Sequence, residues 1–117
     1  MAIHKENKGK PEVAYVYRSF IEAIAQVRMY GAKKYENYES WTDVPSEDFY
    51  NAAQRHLLAA IDATMNPMNK GNPLFEVDES GLLHLAHAAC DIMYLIERRH
   101  RDEIELLHQV TSFAERE

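Results

Sequence analysis

The chain has 117 residues, enough for one domain with a single core, and 46% of them are hydrophobic while 27% are charged, as in globular rather than disordered proteins. Its formal net charge of −6 argues against nonspecific binding to duplex nucleic acid, which favours basic proteins. The single cysteine, Cys90, excludes an intrachain disulfide and a zinc site built on several thiolates, so we expect a reducing, cytoplasmic location.

The first residues, 1–11, are polar and rich in lysine, without the apolar stretch of a signal peptide. No run in the sequence is long and apolar enough for a transmembrane helix, so we expect no membrane contact. We expect residues 1–12 to form a flexible arm and residues 13–117 to form a single nucleotide-binding domain.

Two polar stretches, residues 36–47 and 66–78, contain prolines and separate three segments that we predict to be helices. The first segment, residues 13–35, has apolar residues at helical spacing. The second starts after Ser46, a predicted N-cap that Glu47 and Asp48 follow, and ends near Met65.

The third predicted helix starts near Ser80 or Gly81 and reaches about Ala114. Its first half is apolar almost all round, which indicates a buried helix. Its second half carries a narrow apolar stripe, which favours packing against a second subunit: Ile104, Leu107, Val110 and Ala114. No stretch alternates with a period of two, so we predict an all-α fold without a sheet. The expected architecture is a compact bundle of three to four helices with a long C-terminal helix, assembled as a homo-oligomer.

A polar wedge interrupts the apolar third helix. Its residues follow a 3-4-3-4 spacing and fall within about 80° of arc on one face: His84, His87, Asp91, Tyr94 and Arg98. Polar groups in such a place need partners or a cavity. Two interpretations stay open: a functional site lined by His84, His87 and Asp91, or a core network in which these groups satisfy one another.

Other polar residues also allow two interpretations. Arg55 on the second helix can grip a phosphate or orient a carboxylate, or it can simply be solvated. Lys33 and Lys34 can neutralise phosphate charge or complement the helix dipole at a C-terminus. Trp41 can stack on a base or pack on the core.

Four motifs, taken in order, carry a family resemblance: Y-G-A-K-K-Y at residues 30–35, Trp41, R-H-L at 55–57 and D-E-S-G-L-L-H-L-A-H-A-A-C at 78–90. The chain resembles, over residues 20–97, the N-terminal domain family of phage dATP/dGTP diphosphohydrolases. The last motif is long and specific. This family is related to the MazG-like all-α nucleoside triphosphate pyrophosphatases.

The resemblance implies metal-dependent hydrolysis of purine (deoxy)nucleoside triphosphates to monophosphate and pyrophosphate, in a helical oligomer that uses Mg²⁺ or Mn²⁺. It implies three groups of site residues. The metal ligands would be Glu79, His87 and Asp91. The substrate-binding residues would be Lys33, Lys34 and Arg55 for the phosphates and Tyr35 or Trp41 for the base. The catalytic residues would be His84 and His56.

The chain has Ala63-Thr64 where the family shows Gly-Glu soon after R-H-L. The missing glutamate favours an alternative function, in which the same pocket binds and sequesters a nucleotide or a cyclic nucleotide without hydrolysis. A third interpretation is a structural helical oligomer with an internally satisfied wedge. The sequence leaves the base and sugar preference open.

Overall fold

The computed structural model describes residues 9–69 and 71–116. They form three α-helices, α1 (Arg18–Tyr35), α2 (Ser46–Met65) and α3 (His84–Arg116), joined by loops with short 3₁₀ turns. In this part of the chain there is no β-strand, and only an isolated antiparallel bridge pairs Val77 with Leu83. The predicted all-α class and the long C-terminal helix are confirmed.

The first half of α3 is the centre of the bundle, because both α1 and α2 pack against α3. One core cluster joins Val27 of α1 to Ala86 and Cys90 of α3. Ala60 and Ala63 of α2 are buried as well. Small side chains at these positions let helices approach closely, and this brings the middle of α2 near the start of α3.

An aromatic cluster fixes the loop between α1 and α2. The rings of Trp41 and Tyr94 stack with centroids 5.0 Å apart, and Phe49 packs on Tyr94 at the same distance. Such pairs contribute about 0.5–1.5 kcal/mol beyond the burial of their area. The cluster therefore holds the loop against α3.

Arg98 of α3 holds the same loop through hydrogen bonds. Its Nη2 donates to the carbonyls of Val44, at 2.8 Å, and Trp41, at 3.2 Å, while its Nη1 donates to Oγ of Ser46 at 2.8 Å. Two residues of the polar wedge, Tyr94 and Arg98, therefore have a structural role in holding this loop. The other three, His84, His87 and Asp91, do not contact the loop in this way.

Three predicted helix starts are wrong. Helix α3 begins at His84 and not near Ser80 or Gly81. Helix α1 begins at Arg18 and not at residue 13: Val13–Tyr15 form a 3₁₀ turn, and Tyr17 is extended with ψ 139°. Aromatic and β-branched residues lose side-chain freedom in a helix, which disfavours an earlier start. Ser46 is not the N-cap of α2. That position belongs to Pro45, and the Ser46 hydroxyl accepts a hydrogen bond from Arg98 instead.

The predicted N-terminal arm, residues 1–12, lies mostly outside the described residues. Residues 9–12 are exposed, and residues 1–8 are not described. None of the described helices is both long and apolar enough to cross a membrane.

Candidate functional site

Three histidines meet where the middle of α2 faces the first turn of α3. The Nδ1 atoms of His56 and His84 lie 2.9 Å apart, so one nitrogen donates a hydrogen bond and the other accepts it. The ring of His56 also stacks on the ring of His87, with centroids 4.8 Å apart and planes 16° apart. The contact joins the R-H-L motif to the H-L-A-H motif.

The loop before α3 adds a carboxylate and a hydroxyl to these histidines. Oδ2 of Asp78 lies 3.2 Å from Nε2 of His87. The Ser80 hydroxyl lies 2.8 Å from the same nitrogen and also hydrogen-bonds to Oδ1 of Asp78. Asp78 and Ser80 therefore both fix the ring of His87.

The backbone explains why Asp78 reaches α3. Its N–H donates to the carbonyl of Leu82 at 3.1 Å, and the N–H of His84 donates to the carbonyl of Glu76 at 2.9 Å, which closes the loop on itself. Gly81 has φ +78°, a conformation that favours glycine. The side chain of Asp78 also accepts from the N–H of Ser80 at 2.8 Å, the pattern of an Asx turn.

The electrostatics of the group favour a neutral His56 and an ionised Asp78. Burial lowers the pKa of His56, and the neighbouring His87 and His84 lower it further. Burial raises the pKa of Asp78, but hydrogen bonds from Ser80 and the proximity of His87 and His56 outweigh it, so this pKa lies below its usual value. Neutral imidazole and ionised carboxylate are the forms that bind metal ions.

One ligand atom each from His56, Asp78 and His87 lie within 4.8 Å of one another. We call these three residues the His₂Asp cluster. Two ligands bound to one ion at about 2.0–2.2 Å lie roughly 3–4 Å apart. The three side chains fit one ion after an inward movement of a few tenths of an ångström to about one ångström. All three are partly buried.

A cavity of about 370 Å³ adjoins the cluster, in the size range of small-molecule sites. Both His87 and Asp91 line it, so it borders the His₂Asp cluster directly. Much of its wall is aromatic, and it includes two positive charges: Tyr35, Tyr38, Trp41, Phe49, Tyr94, Arg28 and Lys34. The cavity can therefore accommodate a flat apolar group, and it has polar side chains at one end.

Asp91 stands at the boundary of this cavity, one helical turn beyond His87. Its Oδ2 is buried and has no hydrogen-bond partner among the described residues. Burial raises the pKa of Asp91 to about 6, an effect that the charge of Arg55 only partly offsets. Asp91 and Arg55 also line a second cavity, of about 390 Å³, between α2 and α3.

The structure brings together some of the predicted site residues and separates others. His56, His84 and His87 form one group, with Asp91 a turn away. Glu79 is exposed in the loop and does not join the His₂Asp cluster, where its neighbour Asp78 supplies the carboxylate.

The predicted substrate-binding residues also fall into two sets. Lys34 and Tyr35 line the main cavity, whereas Lys33 lines a separate groove at the end of α1. Trp41 lines the cavity but is only 6% exposed and stacks on Tyr94, so it is part of the core. Arg55 is exposed beside the second cavity.

Sequence reasoning missed Asp78 and Ser80 as members of the site. A signal for them exists in the run Asp78-Glu79-Ser80-Gly81, because aspartate followed two residues later by serine favours a turn closed by the side chain. Such a turn directs the first carboxylate inward and leaves the second residue exposed.

Comparison with known sequences identifies the family of the chain. The profile of the family described as "dATP/dGTP diphosphohydrolase, N-terminal" matches residues 2–106. The chain belongs to this family. The His₂Asp cluster, the main cavity and Asp91 all lie within the matched residues.

A curated member related to this chain is the dATP/dGTP diphosphohydrolase of Salmonella phage PMBT28, 31% identical over 91 residues. The match covers 78% of this chain but 28% of that protein, so the chain corresponds to less than a third of its relative. No solved structure matches the chain significantly.

Proposed function

We propose that the chain is the nucleotide-binding, hydrolytic domain of a metal-dependent purine nucleoside triphosphate diphosphohydrolase that acts in phage nucleotide metabolism, in the host cytoplasm. The observation that carries the proposal is the position of His87, which belongs both to the His₂Asp cluster and to the wall of the aromatic cavity. A nucleotide needs both environments, because its base is flat and apolar while its phosphates need cations. The name of the phage relative, which the chain matches in part, supports the same reaction.

The cavity supplies complementary groups for a purine nucleotide. Tyr35 is 62% exposed at the wall and can stack on a base, whereas Trp41 would first have to leave its contact with Tyr94. Lys34, whose Nζ lies 5.4 Å from the Tyr35 ring, adds a positive charge at the same wall. Arg55 adds a further positive charge in the second cavity, beside Asp91. These cations would contact the phosphates.

In the proposed reaction, water attacks the α-phosphorus, the bond to the oxygen that bridges the α- and β-phosphates breaks, and pyrophosphate leaves. A bound divalent ion would neutralise phosphate charge and acidify a water molecule. The protein must accept the proton of that water. Asp91 suits this role, because it has a pKa of about 6 and an oxygen without a partner. The His56–His84 pair offers a second acceptor.

The test is incubation of the protein with dATP, dGTP, dCTP and dTTP in the presence of Mn²⁺ or Mg²⁺, followed by separation of the products. We expect a purine monophosphate and pyrophosphate in equal amounts. Release of inorganic phosphate alone would indicate a different bond cleavage. The absence of both product formation and binding, with all four nucleotides, would contradict the proposal.

A second candidate function is nucleotide binding without hydrolysis, and the residues that follow the R-H-L motif in α2 favour it. Ala63 is 2% exposed, and the hydroxyl of Thr64 bonds to the Ala60 carbonyl at 3.0 Å. Asp62 cannot replace the missing glutamate, because its two oxygens accept hydrogen bonds from Asn66 and Asn69. Tight binding of a nucleotide or cyclic nucleotide without product would establish this candidate.

We also propose that a second copy of the chain covers an apolar groove on the side of α3 away from the histidines. The groove encloses about 790 Å³ between the three helices. Its wall includes six large side chains that are about half-exposed: Phe20, Tyr50, Leu57, Leu85, Ile92 and Ile96. Exposed apolar surface of this extent marks an interaction site.

The charges on this face suit a copy that runs antiparallel. At helical spacing, the face continues along α3 through Arg99 and Glu103, which pair at 3.4 Å, to the exposed Leu106, Val110 and Phe113. In an antiparallel pair that crosses near this point, Arg99 of each copy faces Glu103 of the other. Helix α3 is about 50 Å long, so this face and the groove together offer a long contact surface to a second copy.

A further inference from the structure

We propose that the His₂Asp cluster is a site for a borderline divalent transition ion, of the class of Zn²⁺, Co²⁺ and Fe²⁺, and that it discriminates against Mg²⁺. The inference deepens the proposed function by naming the class of ion, but it rests on the cluster alone and can be tested without nucleotide. It also replaces the ligand set Glu79, His87 and Asp91, inferred from the sequence, with His56, Asp78 and His87.

The chemistry of the donors carries the choice of ion. Two imidazole nitrogens and one carboxylate oxygen converge within 4.8 Å. Mg²⁺ prefers oxygen ligands in octahedral geometry and keeps several waters. Imidazole suits zinc, iron, copper and nickel, and affinities rise along the series from Mn²⁺ towards Cu²⁺. A site with two histidines among three ligands therefore binds Mg²⁺ weakly.

Neighbouring groups already orient two of the three ligands. The Ser80 hydroxyl hydrogen-bonds to Oδ1 of Asp78, and its oxygen accepts from the Leu82 N–H at 3.1 Å. His84 contacts Nδ1 of His56. Outer-shell contacts of this kind fix ring orientation in metal sites. The His₂Asp cluster thus combines ligands with supports that reduce the reorganisation on binding.

Three protein ligands leave coordination positions open, and the site borders the cavity. A structural ion has four protein ligands as a rule, whereas a catalytic ion keeps a position for water or substrate. Because His87 lines the main cavity, the open positions can be reached by a phosphate that enters there. The site therefore has the composition of a reactive centre rather than of a structural one.

The test titrates tag-free protein with Co²⁺ and follows the visible absorption bands of the ion, with calorimetric titrations of Zn²⁺, Mn²⁺ and Mg²⁺ beside it. We expect one ion per chain, with Zn²⁺ and Co²⁺ tighter than Mn²⁺ and with Mg²⁺ at least a hundredfold weaker than Co²⁺. The variants His56→Gln, Asp78→Asn and His87→Gln should each weaken Co²⁺ binding at least tenfold. Matched controls are His100→Gln and Asp102→Asn, which change exposed residues of α3.

Circular dichroism of each variant establishes that it is folded before binding is compared. Equal Co²⁺ affinity in the wild type and in the three folded cluster variants would overturn the proposal, as would Mg²⁺ binding as tight as that of Co²⁺. Hydrolysis that needs Mg²⁺ and survives all three substitutions would overturn it while the proposed function stands. Co²⁺ binding at the cluster without nucleotide turnover would support it while the proposed reaction fails.

Discussion

The Nδ1 atoms of His56 and His84 lie 2.9 Å apart although 28 positions separate the two residues in the chain. This contact places the R-H-L motif of α2 against the first residue of α3. The two motifs therefore meet in one cluster of side chains.

Substitution of His87 tests whether this residue serves the candidate site or only stabilises the fold. In His87→Gln the amide nitrogen can still donate to Asp78 and Ser80, so we expect the free energy of unfolding to change by less than about 1 kcal/mol. The ring nitrogen that would bind metal is lost, so the proposed response to metal and nucleotide should disappear. Thermal unfolding with and without ligand measures both effects.

The comparison variant is His87→Leu, which removes every donor of His87 and leaves Oδ2 of Asp78 without its contact to that ring. That change should cost roughly 1–3 kcal/mol. If His87→Gln instead melts as early as His87→Leu and still binds nucleotide normally, His87 is a structural residue.

Asp91 makes stability depend on pH. Its pKa is raised from 3.8 to about 6 by burial, so the folded state binds more protons than the unfolded state between these values. The contribution of Asp91 to the free energy of unfolding is fully present below pH 4 and is lost as the pH rises to 6 and above. The full shift would correspond to about 3 kcal/mol, which partial exposure to solvent reduces to on the order of 1 kcal/mol.

Asp91→Asn removes this titration, so we expect the variant to be more stable than the wild type at pH 7.5 by on the order of 1 kcal/mol and to lose hydrolytic activity. At pH 4 the two proteins should be nearly equal in stability. Urea unfolding at both pH values measures the difference, with the exposed Asp102→Asn as control. A variant with unchanged stability at both pH values and full activity would show that the buried charge of Asp91 does not destabilise the fold and that Asp91 has no role in hydrolysis.

Arg98 supports the wall of the cavity from behind. Lysine has one nitrogen and cannot reach the Ser46 hydroxyl and the Val44 carbonyl together as Arg98 does. We therefore expect Arg98→Lys to lower the free energy of unfolding by about 1–3 kcal/mol. Arg18→Lys, at an exposed ion pair with Glu22, should change the free energy of unfolding by a few tenths of a kcal/mol at most. Similar unfolding free energies for both variants would argue against a supporting role.

The proposed dimer can be tested with two neighbouring leucines of α2. Leu57 lines the apolar groove and is 47% exposed, whereas Leu58 points about 100° away and is 64% exposed. An unpaired carboxylate in an interface costs several kcal/mol, so Leu57→Asp should raise the dimer dissociation constant about a hundredfold or more. Leu58→Asp should leave it unchanged. Analytical ultracentrifugation measures both.

Charge reversal tests the orientation of the two copies. Arg99→Glu and Glu103→Arg should each weaken an antiparallel dimer, because each places like charges opposite one another. The double variant should recover the affinity. A wild-type protein that is monomeric at tens of micromolar would contradict the interface as a whole, and no recovery in the double variant would contradict its antiparallel register.

The helices could be predicted from the sequence because their signals are local. Apolar spacing and the prolines of the loops placed the ends of α1 and α2 at Tyr35 and Met65, where the structure has them. The start of α1 could not be found this way, because the residues from Val13 to Tyr17 keep an apolar pattern while their backbone is not α-helical.

His84 and His87 followed from helical spacing and His56 from the family motif, but the choice between two adjacent carboxylates did not follow from either. Asp78 and Glu79 have the same charge, and only the loop decides which one faces α3. That loop depends on the positive φ of Gly81 and on the bridge between Val77 and Leu83. Periodicity carries no information about either feature. Trp41 was ambiguous for a similar reason, since its partner Tyr94 lies on a different helix.

Trp41 is the single tryptophan of the chain, and it lies 6% exposed in the wall of the cavity that His87 also lines. Its contact with Tyr94 and the hydrogen bond from its Nε1 to Glu39 at 2.8 Å fix the environment of the indole. With excitation selective for tryptophan, the intrinsic fluorescence of this protein therefore originates at one defined point beside the cavity. A purine that enters would change the emission of that indole directly, so occupancy can be followed in real time without a label.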